Sequence, residues 1–103
     1  MINGMKDLRL SIKINRSAKD LFHFTINPEN TSKWVDSIVV EKTNEWPPKL
    51  GTIYHNQDPA GVWREYEMTS FEQDKMFVLS KKDGYHVRYT FTSLDTNTTK
   101  LEW

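Results

Sequence analysis

The chain has 103 residues, enough for one domain and too few for two. Fourteen basic and fourteen acidic side chains cancel to zero formal net charge, which removes the electrostatic case for nucleic-acid binding, since that needs a basic face. Cysteine is absent, so a disulfide framework, a thiolate metal site and a cysteine nucleophile are excluded.

The opening "MINGMKDLRL" lacks the apolar stretch of a signal peptide, and no run approaches membrane-spanning length. A soluble, cytoplasmic protein is therefore expected. Leu8, Leu10, Ile12 and Ile14 alternate with Arg9, Ser11 and Lys13, the pattern of a half-buried strand. At "NRSAKDLFHF" the period changes. Ser17 is placed to cap a helix with Asp20 in its first turn and an apolar stripe of Ala18, Leu21, Phe22 and Thr25. "NPENTSKW" predicts a second short helix, with Asn27 as cap, Pro28 in the first turn where its missing N–H costs nothing, and Trp34 at its end.

Strands are expected from there on. "DSIVVEKTN" is followed by the stiff turn "EWPPKLG", then "TIYHNQ", the turn "DPAG", "VWREYEMTSFE" and "KMFVLSKK". Asp83–Gly84 is a hairpin signal. In "YHVRYTFTSL" the residues Tyr85, Val87, Tyr89 and Phe91 share one face, while His86, Arg88, Thr90 and Thr92 share the other. "DTNT" turns into "TKLEW", where Thr99, Leu101 and Trp103 alternate with Lys100 and Glu102. Short connections imply antiparallel pairing in the order β-α-α-β-β-β-β-β-β.

That order, with "SAKDLFHFTINPENTSKW", Gly51 opening "GTIYHN", "REYEMTSFE", and "GYHVRYTFT" running into "TTKLEW", resembles the START-like or helix-grip (SRPBCC) superfamily. The superfamily includes polyketide cyclases, lipid carriers, plant pathogenesis-related allergens and a chaperone-activator branch. The resemblance spans nearly the whole chain and implies an α+β fold: a curved antiparallel β-sheet with two short helices between strands one and two. In the superfamily the sheet wraps a long C-terminal helix and leaves a cavity between helix and sheet. Here the chain stops at Trp103, after the last predicted strand. Residues 1–103 thus read as a single domain of this type truncated before the long helix, with one wall of the cavity gone.

The three histidines, His23, His55 and His86, fall on separate elements without the short spacing of a zinc site, so neither a metal nor another cofactor is expected. Glu65 and Glu67 share one face of a strand. Paired carboxylates there can do acid–base work if burial splits their pKa values, but a solvated face, or pairing with Arg64 or Arg88, is the commoner outcome. No residue is assigned a catalytic role. The resemblance turns Thr52, Tyr54 and Asn56 inward and His55 outward, which suits an orienting role in a pocket. Tyr85, Tyr89, Phe91, Leu101 and Trp103 are expected to line a continuous concave surface, joined by Val87, Phe77, Leu79 and Trp34. Trp63 completes the candidate lining, although it shares parity with Glu65 and Glu67, so which face of that strand is concave stays open.

The leading expectation is non-enzymatic binding or transport of a hydrophobic or aromatic small molecule. An aromatase/cyclase-type enzyme and a protein-interaction module of the chaperone-activator kind are the alternatives. Aromatic side chains bury on the order of 150–250 Å² each, so Tyr85, Tyr89, Phe91, Leu101 and Trp103 amount to roughly 700–1,000 Å² if bared. Typical monomers expose apolar patches of only about 300–600 Å². A homodimer closed groove to groove is the expected cover.

Overall fold

Alternating strands and two capped helices make up residues 10–103, which a computed structural model of the chain describes. The elements are β1 (Ser11–Ile14), α1 (Ala18–Ile26), α2 (Pro28–Thr31), β2 (Val40–Thr43), β3 (Ile53–Gln57), β4 (Trp63–Glu72), β5 (Met76–Ser80), β6 (His86–Asp95) and β7 (Thr98–Glu102). The expected start of the first strand at Leu8 lies outside the described residues. The strands form one curved antiparallel sheet of seven in the order β1-β7-β6-β5-β4-β3-β2. The order of periods had anticipated this α+β architecture. β2 and α2 are markedly shorter than expected: residues 36–39 lead into β2 as turn and bend, and α2 ends at Thr31. Trp34, expected at the end of that helix, therefore stands in the turn after it, where the Lys33 and Trp34 N–H groups donate to the Asn30 and Thr31 carbonyls three residues back.

Each helix begins where a side chain replaces the missing backbone acceptor. The Ser17 hydroxyl accepts from the Asp20 N–H at 3.1 Å, and the Asn27 side-chain oxygen accepts from the Glu29 N–H at 3.0 Å, with Pro28 in the first turn of α2. Such caps satisfy donors that the helix itself leaves orphaned. α1 then buries Leu21, Phe22, Thr25 and Ile26 against the sheet. Phe22 is the hub: its ring meets Phe71, Phe77 and Phe91 edge-on at centroid distances of 5.9, 5.8 and 5.3 Å. Edge-to-face pairs of this kind add about 0.5–1.5 kcal/mol each beyond the area they bury.

A bulge explains how Phe71 joins that cluster. Met68 pairs with Leu79, but the register shifts before Ser70, so that Phe71 pairs with Phe77. An extra residue reverses the alternation, and Met68 and Phe71, three apart, both pack into the core. On the far side Leu10 and Trp103 exchange backbone hydrogen bonds of 2.8 and 3.0 Å, extending the β1–β7 pairing by one residue.

The bare groove expected at the end of the chain is corrected in part. Phe91 and Leu101 are only 4% exposed, because α1 lies across them. Tyr89 and Trp103 are partly buried, and Tyr85 is exposed. Leu10 and Ile12, which neighbour Trp103 and Leu101 across the β1–β7 pairing, remain about half exposed at 49% each. No helix among the described residues is long and apolar enough to cross a membrane.

Candidate ligand-binding cavity

Where α1 ends, the inner face of the sheet is no longer covered, and a cavity of about 230 Å³ opens between the sheet and the segment that follows the helices. One wall comes from helix residues Thr25 and Thr31 and from Trp34, Val35, Ser37 and Ile38 of the segment between α2 and β2. The sheet supplies the other: Glu41 from β2, Tyr54 and Asn56 from β3, Tyr66 from β4, Phe77 and Leu79 from β5, and Val87 and Tyr89 from β6. Tyr85 and Trp103 stand at the ends of β6 and β7. The wall is mainly aromatic and aliphatic with a few polar groups, the usual make-up of a small-molecule site.

Register explains which side chains face in. Glu41 pairs with Asn56, Tyr54 with Tyr66, Phe77 with Tyr89 and Leu79 with Val87, and directly paired residues share a face. The Tyr54 hydroxyl donates to the Ile26 carbonyl at 2.7 Å, which ties the sheet to the end of α1 and holds the tyrosine fully inside. Trp34 stands edge-on to Tyr89 at 5.9 Å and to Trp103 at 6.4 Å. Its indole N–H is buried and has no hydrogen-bond partner among the described residues.

The charged group in this wall was not among the residues singled out from the sequence. One Glu41 carboxylate oxygen accepts from the Thr31 hydroxyl at 2.6 Å and the other from the Asn56 side-chain N–H at 3.2 Å. Burial pushes the Glu41 carboxyl above its ordinary value of 4.5, only partly offset by the hydrogen bonds from Thr31 and Asn56. Burial also raises the phenols of Tyr54 and Tyr89, and the nearby Glu41 charge raises them further. Among the described residues no lysine, arginine or histidine lines the cavity. A sequence signal for Glu41 existed only at second hand: it sits opposite Asn56, a residue the resemblance had turned inward.

Several expected lining residues lie elsewhere. Trp63 is 49% exposed on the outer face with Glu65 and Glu67, because Tyr66 and Met68, of opposite parity, take the inner one. Thr52 is fully buried but outside the cavity wall. Its hydroxyl donates to Glu45 and accepts from the Lys49 N–H, both at 2.8 Å, closing the β2–β3 loop. Phe91 and Leu101 belong to the core beneath α1. On the outer face Glu65 meets His55 at 3.1 Å, both well exposed, and Arg64 reaches Asp58 at 2.8 Å rather than either glutamate. Among the described residues no group of three His, Cys, Asp or Glu side chains is gathered that could hold a metal ion.

No family model and no curated protein matches the chain. Solved structures do resemble it. An uncharacterised protein from Bacillus thuringiensis aligns with a TM-score of 0.74 at 16% identity, over 93% of this chain and 73% of its own. The protein XoxI from Bacillus cereus aligns at 0.75, also at 16% identity, over 93% of this chain and 70% of its own. Norcoclaurine synthase from Thalictrum flavum, in complex with dopamine and hydroxybenzaldehyde, aligns at 0.68 and 9% identity, over 92% of this chain and 64% of its own. These are helix-grip, Bet v1-like folds, and the chain shares that fold with them.

Proposed function

We propose that the chain binds a small hydrophobic or aromatic molecule in the cavity between the helices and the sheet, as a carrier or receptor rather than as a catalyst. The observation that carries this is the cavity itself: about 230 Å³ walled largely by rings and aliphatic side chains. At ~30 Å³ per water that is room for about eight waters, or one substituted ring. It lies below the roughly 300–1,000 Å³ of drug-sized sites, so the ligand is compact. Norcoclaurine synthase, of the same fold, is seen with ring compounds bound, which supports the reading by analogy of fold only.

Trp34 and Trp103 in the wall provide the reporter. Titration with ring-sized apolar molecules should change tryptophan emission and saturate at one molecule per chain, and native mass spectrometry should show the same stoichiometry and the subunit count. If no ring-sized molecule perturbs the tryptophans, the reading is wrong. The same spectra test the expected homodimer, whose apolar contact would rest on Leu10, Ile12 and Tyr85 now that Phe91 and Leu101 are covered.

Glu41 favours a second reading. A partly buried carboxyl beside tyrosines, with its proton affinity raised, is what an aromatase/cyclase-type enzyme would use to move a proton. In that case Glu41→Gln would abolish turnover of a cyclisable aromatic precursor while leaving its binding intact.

A further inference from the structure

Resting on the reading of the cavity as a small-molecule site, we propose that its ligand is a cationic amine with a compact apolar body, the ammonium held by Glu41, and that carboxylates of the same shape are excluded. The observations concern what Glu41 still lacks. An ionised carboxylate offers about four acceptor positions, and the protein fills two of them, through Thr31 and Asn56. Among the described residues, no cation pairs with it, and it is the only charged side chain in the cavity wall. Glu41 is partly buried, and a charge withdrawn from water ordinarily has a partner; here the missing partner is a cation, and the cavity lies beside the carboxylate.

The surrounding rings point the same way. Trp34, Tyr66 and Tyr89 line the cavity with Glu41, and aromatic faces attract ammonium groups while also packing against an apolar body. A bound cation would also bring the Glu41 carboxyl back down, recovering what its burial costs. A carboxylate ligand would meet the opposite situation, with a like charge beside Glu41 and, among the described residues, no basic side chain in the wall to receive it. The same geometry therefore both selects and rejects.

Three probes of one shape test this on the unaltered chain: 2-phenylethylamine, 2-phenylethanol and phenylacetate, titrated by calorimetry at neutral pH. Both the ammonium and the alcohol O–H can donate to Glu41, but only the ammonium brings the opposite charge, so the amine should bind about ten- to a hundredfold more tightly than the alcohol, and phenylacetate more weakly than both. Glu41→Gln should bring the amine down to the affinity of the alcohol. The alcohol or phenylacetate matching the amine would overturn the charge selection while leaving the cavity as a binding site. So would an amine affinity untouched by Glu41→Gln. Binding of none of the three would instead remove the small-molecule reading, and this inference with it. The comparison of the three probes decides the matter without the variant, should Glu41→Gln fail to fold.

Discussion

The indole rings of Trp34 and Trp103 stand perpendicular, 6.4 Å apart between centroids at an interplanar angle of 88°. They come from the turn after α2 and from the end of β7, so this contact closes one side of the cavity with residues nearly seventy positions apart. It also answers what covers the last tryptophan of the chain: another tryptophan, itself braced by Tyr89. Trp34→Ala should therefore cost about 3 kcal/mol in urea unfolding, the low end of the range for emptying an aromatic site because one side already faces the cavity. A loss below about 1 kcal/mol would mean that the ring contact contributes little to stability.

Phe22 should be more sensitive. Its side chain is 1% exposed and touches three other phenylalanines. Phe22→Ala should cost about 4–5 kcal/mol, against which an ordinary domain has only about 5–15 kcal/mol in total. Thermal melting followed by circular dichroism should show a broadened or absent transition. A melting point within a few degrees of the parent would show that α1 does not anchor the sheet.

Tyr54→Phe removes the hydroxyl that donates to the Ile26 carbonyl at 2.7 Å and leaves that buried oxygen without its partner. The expected loss is about 1–3 kcal/mol, with faster amide exchange at the end of α1. Unchanged exchange there would show that water replaces the hydroxyl.

Glu41 should make stability depend on pH in a definite direction. Its folded carboxyl titrates above the ordinary value of 4.5, first because of burial. In that window the folded chain binds more protons than the unfolded one, so stability is greatest below about pH 4.5 for this group and falls as pH rises through the folded value. The side chains facing it are the neutral Thr31 and Asn56 and the phenols of Tyr54, Tyr66 and Tyr89, which titrate far higher. Glu41→Gln should accordingly raise the melting temperature at pH 7 and flatten the profile above pH 4.5. A variant less stable than the parent at pH 7 would show that the carboxylate is paired in the folded chain.

What could be read from the sequence was whatever depends on near neighbours. The Ser17 and Asn27 caps, Pro28 in the first turn of α2, the reversal at Asp83–Gly84 (Gly84 φ +98°) and the alternation of β6 are local, because capping, φ preference and the two-residue period act within a few residues. Those signals were enough for the element order, and it was the resemblance carried by that order and by particular stretches that implied the fold.

The tertiary structure alone decided which face each strand turns inward. A two-residue period allows two mirror assignments, and only pairing chooses between them. In β4, Trp63 offered the larger ring, yet Tyr66 and Met68 face the core, and the bulge before Ser70 then brings Phe71 round to join them. Glu41 shows the same limit. Nothing beside Val39 and Val40 marks it, and it becomes, among the described residues, the one charged side chain in the cavity wall only when β2 pairs with β3 and α2 sets Thr31 against it. Burial of a charge is a property of what surrounds it, and those surroundings come from elsewhere in the chain.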